Sequence, residues 1–408
     1  MTQNSFPIRS VIYDEDFSDL QFLKSEIGNR PIVQLGESSH GTREFNQVKT
    51  RIIKFLHQEM DFEVVAFESG FFEGYHADQN LGTFSPSGLQ NFIFGVWSTN
   101  EVLELFRYVD ETQSTSRPLR LAGFDVQISS PAFYNQLFPF IANLPDTAIL
   151  TPELRSSITQ NLNQYRANQN DHANAQCFGN RSQECSDIIE ASRPIIGGLT
   201  SDLNALGDPA NLSSRDMRAL YITISAARGQ IRNNAANFDT GDNGNTRDAG
   251  MARTFELLRE NLFPNEKTVI WAHNRHIAHE ESATQAVQGN PFFFTRPMGF
   301  ALKNEYQDDI FSIGLYMLRG QTANNFGQPL SVLAPRNDSL EAIAYSRRLA
   351  ALYFSTGGDQ PQVAGNSFIF ERTQAHYWGG EFGTYSMIPK DQFDGLIVID
   401  QSSVPQYR

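Results

Sequence analysis

Two short histidine-containing segments carry the residue types that acid–base chemistry requires, and most of the chain separates them. The first, residues 36–41, reads Gly-Glu-Ser-Ser-His-Gly, and the second, residues 271–276, reads Trp-Ala-His-Asn-Arg-His. Each follows a short apolar run that predicts a buried strand. In an open α/β sheet, ligands bind beyond the carboxyl ends of the strands. The two segments therefore predict one composite active site.

Glu37 and His40 flank a tight turn that leads into a predicted helix. A helix N-terminus favours a neutral imidazole, so His40 could act as a general base at neutral pH. Glu37 would stay ionised and fix the tautomer of the ring. The alternative is a structural turn with a capping residue and a surface histidine. Further polar residues at predicted strand ends favour the catalytic interpretation.

Two carboxylates also follow predicted strands. Glu68 closes the apolar run 64–67, where a charge suits an active site better than a core. The alternative for Glu68 is an edge charge that pairs with a lysine. Asp125 follows Leu-Ala-Gly-Phe, although aspartate is also a common turn and cap residue.

Five further side chains are candidates for substrate binding because of their positions in this pattern. Two are basic residues in the helix after the first segment, two are aromatic residues just after Glu68, and one is a basic residue that opens a later predicted helix. The aromatic pair could wall a cleft for an apolar ligand. The alternative for the two basic residues in the first helix is a solvated charge, and for the basic residue that opens the later helix it is a charge pair at a helix end. The alternative for the aromatic pair is ordinary core packing. The five residues are Lys49, Arg51, Phe71, Phe72 and Arg247.

The second segment also permits a metal interpretation. His273, His276 and His279 recur every three residues, which places them near one helical face. No His-Glu-x-x-His motif is present, and Glu37, His40 and Glu68 would have to converge on the same ion. We therefore expect no metal and no other cofactor, and a metal site stays the alternative.

Motifs of several common mechanisms are missing from the sequence. It has no Gly-x-Ser-x-Gly nucleophile elbow, no phosphate loop and no Gly-x-Gly-x-x-Gly. We interpret Ser38 and Ser39 as turn residues, because a base and a nucleophile this close in sequence rarely face each other. A water activated by histidine and glutamate is favoured over a serine nucleophile.

Composition limits the partners of the chain. Its 408 residues carry a formal net charge of −14, which argues against nucleic acid and anionic membrane surfaces. No signal peptide is recognisable in the first ten residues, and no apolar run is long enough to span a bilayer. We expect a cytoplasmic protein with a small-molecule substrate, and the sequence sets no expectation for the oligomeric state. Cys177 and Cys185 are either reduced surface thiols or a local disulfide, which would suggest export.

Strands alternate with helices in the first and last thirds of the chain, whereas the middle third is helical. This order predicts an α/β fold with a mixed, mostly parallel sheet flanked by helices and a helical insertion that forms a cap. The core is predicted at residues 1–130 and 262–408, the insertion at 131–261, and a polar loop or lid at 161–183. The predicted strands are 32–35, 64–67, 119–124, 268–271, 310–317 and 395–399, with an edge strand at 368–371. The predicted helices are 43–58, 98–109, 217–238 and 247–261.

At these motifs the chain resembles the erythromycin esterase family. The motifs run in the family order and cover most of the chain, and the two histidine motifs are fairly specific in combination. They comprise residues 36–42 with Glu44-Phe45, Glu68, Trp97, Gly123-Phe124-Asp125, Arg247-Asp248 with Met251, residues 271–274, and Met298-Gly299.

The resemblance implies an α/β fold with a helical insertion capping a deep active-site cleft. It also implies hydrolysis of a macrolide lactone by an activated water, without an acyl-enzyme. His40 would be the general base, and Glu37 and Glu68 would position it or the water. His273 and His276 would polarise the carbonyl or stabilise the oxyanion.

The resemblance also extends the substrate-binding candidates to Asp125 and Met298. Lys49 stands where the family is expected to carry arginine, and Arg275 is bulkier than the residue expected there. Two alternatives stay open: a metal-dependent hydrolase that uses the same histidines and carboxylates, and a non-catalytic binder of a bulky apolar ligand.

Overall fold

The two histidine segments leave the main sheet from neighbouring strands. Strand β2 (Ile32–Leu35) and strand β5 (Lys267–Trp271) are parallel, and their last residues pair directly. Strand β3 (Phe62–Gly70) pairs in parallel with β5, with Phe67 opposite the end of β5. All four residues of β2 are buried, as expected for a central strand with both faces covered. The residues at and just beyond the ends of these three strands therefore lie at one edge of the sheet: 36–40, 68 and 272–276.

The computed structural model describes residues 5–241, 244–280, 285–286, 296–337, 339–345, 351–358, 360–363, 365–380 and 383–408. The remaining strands are β1 (Ser5–Ile8), β4 (Arg120–Asp125), β6 (Gln285–Ala286), β7 (Ile310–Ala323), β8 (Pro329–Ser331), β9 (Ala351–Ser355), β10 (Thr373–His376), β11 (Thr384–Met387) and β12 (Gly395–Ser402). The helices are α1 (Phe22–Ile27), α2 (Arg43–Met60), α3 (Phe71–Gln79), α4 (Pro86–Gln90), α5 (Asn100–Thr112), α6 (Phe133–Asn143), α7 (Pro152–Asn174), α8 (Gln183–Leu206), α9 (Arg215–Thr240), α10 (Asn245–Leu262), α11 (Asn274–Ile277), α12 (Met298–Tyr306), α13 (Leu340–Tyr345) and α14 (Pro389–Gln392).

The main sheet has the strand order β1-β9-β12-β7-β2-β5-β3-β4, with β8 paired to β7. Strands β12, β7, β2, β5 and β3 pair in parallel, whereas β9 is antiparallel to both β1 and β12. A smaller antiparallel sheet has the order β10-β11-β6. The predicted α/β fold with a mixed, mostly parallel sheet is confirmed.

The six predicted core strands are present, and two other predictions are wrong. Residues 368–371 do not form an edge strand, because a 3-10 turn covers Ser367–Ile369 and strand β10 begins at Thr373. Residues 161–183 are not mainly a loop, because α7 continues to Asn174. Only a narrow stripe of α7 is apolar and buried, which explains why its composition resembles that of a loop.

The chain divides into two compact units. The first comprises the described residues within 1–68, 80–121 and 266–408, and the second comprises those within 69–79 and 122–265. The predicted insertion, 131–261, falls within the second unit, and its function as a cap stays a prediction. In the second unit Cys177 and Cys185 form a disulfide, so the structure favours that alternative over reduced thiols. Within the described ranges, no helix combines the length and apolarity needed to cross a membrane.

Candidate active site

Glu37 lies at the centre of a buried hydrogen-bond cluster in the first unit. The ammonium of Lys49 donates to Oε2 over 2.6 Å, and the indole N–H of Trp97 donates to Oε1 over 2.7 Å. His40 Nδ1 lies 2.7 Å from the same Oε1. Burial would raise the pKa of Glu37, but the charge of Lys49 and the bond from His40 outweigh it and lower the pKa. Glu37 is therefore an ionised acceptor for three donors.

Lys49 is the cation that balances Glu37. Helix α2 places its side chain in the interior, where it also donates to the carbonyl of Ala272 over 3.3 Å. Its ammonium lies 4.2 Å from the ring centroid of Trp271. Burial lowers the pKa of Lys49 to about 8, although Glu37 opposes this shift. The pair is thus charged near neutral pH and fixes the position of the carboxylate.

His40 is oriented as a proton acceptor. Its Nδ1–H donates to the ionised Glu37, which leaves the lone pair on Nε2. No described residue hydrogen-bonds to Nε2, and the side chain is 15% exposed. The ring contacts Trp97, His273 and Trp378 at centroid distances of 4.9, 5.1 and 5.4 Å. These contacts and the bond to Glu37 fix the direction of Nε2.

Asn274, just after β5, contacts the residue that follows the end of β2 by two positions and the interior of β7, and so sets the spacing of the two histidine segments. Its backbone N–H donates to the carbonyl of Glu37 over 2.8 Å. Its amide side chain makes two hydrogen bonds with the backbone of Leu315 in β7, of 2.9 and 3.0 Å. A Cβ atom on Gly36 would lie 2.1 Å from Asn274 Oδ1, so the close approach requires glycine.

His273 is held as a neutral ring with the opposite tautomer. It caps α11, and its Nδ1 accepts the backbone N–H of Arg275 over 3.2 Å. The proton therefore sits on Nε2, which is buried and has no hydrogen-bond partner in the described part of the chain. Burial, together with the nearby His40 and His276, holds the pKa of His273 well below its ordinary value. The arrangement provides a buried donor that is free for a ligand.

Glu68 links His273 and His276. Its Oε2 accepts the backbone N–H of His273 over 2.9 Å, and its Oε1 lies 3.2 Å from Nε2 of His276. Glu68 is 3% exposed. Six predicted residues thus meet in the first unit: Glu37, His40, Lys49, Glu68, His273 and His276.

Tyr377 and Trp378 are site residues that sequence reasoning missed. The indole of Trp378 stacks against His273 at 6.3 Å, and the ring of Tyr377 meets the same imidazole edge-on at 5.6 Å. Trp378 has a left-handed backbone (φ 52°), and its N–H donates to the carbonyl of Ser38 over 3.1 Å. Such strain in a non-glycine residue is concentrated at functional sites. The available signal was an aromatic pair before Gly-Gly, with one of only three tryptophans.

Comparison of the sequence with known proteins identifies the family of this chain. The sequence model of the erythromycin esterase family matches residues 57–402, which is most of the chain. The chain belongs to the erythromycin esterase family. This family member is 27% identical over 402 residues to the putative hydrolase YbfO of Bacillus subtilis strain 168, covering 94% of this chain and 86% of the relative. It is 24% identical over 331 residues to erythromycin esterase type II of Escherichia coli, covering 76% of this chain and 74% of that protein.

The fold of this erythromycin esterase family member is also found among solved structures. A variant of the erythromycin esterase EreC in its open conformation aligns with a TM-score of 0.70 at 18% identity, covering 99% of both chains. Family membership and the relatives' names support a hydrolase.

The other predicted residues occupy other elements of the fold. Arg51 is buried and forms an ion pair with Asp19. Met298 is buried at the start of α12, which packs against α11. The remaining four belong to the second unit, where Asp125 pairs with Arg247 and lines a cavity with both aromatic residues: Phe71, Phe72, Asp125 and Arg247. Their contact with substrate stays a prediction.

Two of the histidines considered as metal ligands have oxygen partners in the protein. His276 Nε2 lies 3.2 Å from Oε1 of Glu68, and His279 Nε2 lies 2.6 Å from the Ser312 hydroxyl. Among the residues that the structure describes, no group of three or more His, Cys, Asp or Glu side chains has a geometry suited to a metal ion.

Proposed function

We propose that this protein is an ester hydrolase in which His40 activates a water molecule and His273 stabilises the oxyanion. One observation carries the proposal: two imidazoles at a centroid distance of 5.1 Å present opposite Nε2 atoms, one a lone pair and the other an N–H. A hydrolase that uses water needs one acceptor for the proton of water and one donor for the carbonyl oxygen.

The reaction then runs in two steps. A water oxygen attacks the ester carbonyl carbon while His40 Nε2 takes one of its protons, and the carbonyl oxygen becomes an oxyanion. The Nε2–H of His273 donates to that oxyanion. Collapse of the tetrahedral intermediate breaks the bond between the carbonyl carbon and the ester oxygen, and the leaving oxygen takes the proton back from His40. The products are a carboxylic acid and an alcohol, which in a lactone stay in one molecule.

Glu37 stabilises the imidazolium that forms on His40. Lys49 keeps Glu37 ionised and in place, and Trp97 occupies the same carboxylate oxygen as His40. Glu68 holds the backbone of His273 and the ring of His276. We therefore assign positioning functions to Glu68 and His276. Buried preorganised groups of this kind gain catalytic strength from the absence of competing water.

A serine nucleophile has no support at this position. The hydroxyl of Ser39 is buried and lies 2.6 Å from the Thr322 hydroxyl, and it also accepts the N–H of Gly41. The first bond ties the turn before α2 to strand β7, and the second lies within that turn. The proposed reaction therefore proceeds without an acyl-enzyme.

The proposed substrate class is the macrolide lactones, on the strength of the family and of the relative named erythromycin esterase type II. The test is incubation of the purified protein with erythromycin, followed by mass spectrometry, with and without a chelator. We expect a gain of one water per molecule that the chelator does not affect and that a His40→Ala variant lacks. Loss of activity with the chelator would support a metal-dependent hydrolase instead. Binding without a mass change in both proteins would support a binding protein.

The location in the cell is a separate expectation. The sequence predicts a cytoplasmic protein, but disulfides persist mainly in oxidising compartments, and Cys177 and Cys185 form one. Labelling of thiols in cells lysed directly into denaturant distinguishes the two locations, because a cytoplasmic chain would carry two reduced thiols that unfolding exposes.

A further inference from the structure

A second cavity opens on the first unit, between the outer face of α2, the first turn of α5 and the N-terminal segment. Its volume is about 320 Å³, within the range of small-molecule pockets, and its lining includes Ile12, Tyr13 and Lys54. None of its lining residues belongs to the proposed catalytic group. Its chemistry therefore needs an explanation of its own.

Lys54 is a buried cation without a counter-charge in contact. The residue is 6% exposed, and its ammonium lies 3.9 Å from the ring centroid of Tyr13 and 5.1 Å from that of Tyr108. It forms no hydrogen bond and no ion pair with any other residue that the structure describes. Burial lowers the pKa of Lys54, and the more distant Glu104 and Glu111 oppose that shift. An ammonium in this state has three donors available to an occupant of the cavity.

The Thr50 hydroxyl on the same helical face also lacks a partner. Gln47, Thr50 and Lys54 are spaced three and four residues apart, so α2 directs them to one side. The Thr50 hydroxyl is buried and has no hydrogen-bond partner among the described residues. Buried polar groups are satisfied in most folded proteins, so this hydroxyl beside an ammonium without a counter-charge in contact indicates a site for a ligand.

Of the three charged side chains that line the cavity, the two carboxylates have contact partners among the described residues and the cation does not. Glu101 pairs with Arg43 at 3.2 Å, and Glu104 pairs with Arg107. Lys54 is the lining charge without a partner in contact. Ile12 is 57% exposed and, beside Tyr13, offers an apolar wall next to the ammonium.

We propose that this cavity binds a small organic monocarboxylate. The carboxylate lies on the Lys54 ammonium and the Thr50 hydroxyl, and the apolar part of the ligand packs on Ile12 and Tyr13. The site is independent of the proposed hydrolase reaction, because it uses none of the residues assigned to that reaction.

The test is a calorimetric or NMR titration of the full-length protein with benzoate. We expect saturable binding with Kd in the millimolar range. Lys54→Met should weaken it about tenfold or more, and Thr50→Val a fewfold. Lys24→Met is the matched control, because Lys24 is an exposed lysine paired with Glu59, and it should bind benzoate like wild type. Acetate, which lacks the apolar part, should bind at least about tenfold more weakly than benzoate.

The variants also report on folding. Lys54→Met removes an unpaired buried charge and keeps the length of the side chain, so its Tm should equal or exceed that of wild type. Three results would overturn the proposal: no saturation with benzoate, unchanged benzoate affinity in Lys54→Met, or tighter binding of inorganic phosphate or glucose than of benzoate. None of these depends on whether the protein hydrolyses an ester.

Discussion

The backbone amide of Arg275 donates a hydrogen bond to Nδ1 of His273 over 3.2 Å. A neutral imidazole has one donor and one acceptor nitrogen, so this bond fixes the proton of His273 on Nε2. In His40 the bond from Nδ1 to Glu37 has the reverse effect and leaves Nε2 as the acceptor. One hydrogen bond at each ring therefore leaves Nε2 as an acceptor in one of two identical side chains and as a donor in the other.

Replacing His273 with Asn separates the two nitrogens of the ring. Asn is a good N-cap residue, so its carbonyl should still accept the amide of Arg275, while the Nε2 donor is lost. We expect kcat for ester hydrolysis to fall about 10²–10³-fold with little change in KM, as for the loss of one oxyanion donor. Steady-state kinetics together with a melting curve test this expectation. A His273→Asn enzyme with the wild-type kcat would exclude the donor function.

The lowered pKa of Lys49 predicts that enzyme activity falls at alkaline pH. Its pKa of about 8 means that the ammonium is charged below that pH and neutral above it. Neutral Lys49 leaves Glu37 without its cation, so kcat/KM should fall as the pH rises through about 8. Arginine stays protonated over this range, and Lys49→Arg should shift or remove the alkaline limb. The pH profile of Lys24→Arg serves as the control, and an identical limb in Lys49→Arg and wild type would contradict the assignment.

Trp378 should act through the two histidines that it touches. Trp378→Ala removes a ring from both His40 and His273, and we expect kcat to fall about 10²-fold through misplacement of the Nε2 atoms. Water should then reach His273 and raise its pKa toward the ordinary value, which NMR titration of the imidazole protons measures. Trp378→Phe keeps an aromatic ring and should restore most of both properties. The prediction fails if the alanine variant leaves the His273 titration unchanged.

The sequence allowed the main sheet and the proximity of six candidate residues to be predicted because both follow from local patterns. Apolar runs marked β2, β3 and β5, and their parallel pairing brings the residues that follow them to one edge. Polar residues directly after such runs were therefore expected to meet. Glu37, Glu68 and His273 fulfil this expectation through bonds of known geometry.

Contacts that arise from long-range packing could not be predicted in this way. Tyr377 and Trp378 follow β10, a short strand of the second sheet, and nothing local relates that sheet to residues 36–40. The incorrect expectation for Arg51 has a different cause. Two residues after Lys49 on a helix, its side chain points about 200° away, toward Asp19. Helical spacing alone would have separated these two basic residues.

Glu73, in the second unit, carries a prediction about stability. It is 2% exposed, and its Oε1 accepts the backbone N–H groups of Ser129 and Ser130 over 2.7 and 3.2 Å. Burial raises the pKa of Glu73 to about 7 against the effect of these bonds. The unfolded chain releases this proton at about pH 4.3, so between that pH and about 7 the folded state binds the extra proton. Stability from this group therefore decreases as the pH rises through that window.

Glu73→Gln keeps an acceptor oxygen for both amides and removes the charge. Above pH 7 the variant should be more stable than wild type by an amount of about 3 kcal/mol, and near pH 4 the difference should vanish. Urea unfolding at a series of pH values measures both ends of this window. Glu190→Gln is the control, since Glu190 is exposed and its ion pair with Arg193 lies at the surface. A stability gap between Glu73→Gln and wild type that does not change with pH would show that Glu73 is ionised throughout the window.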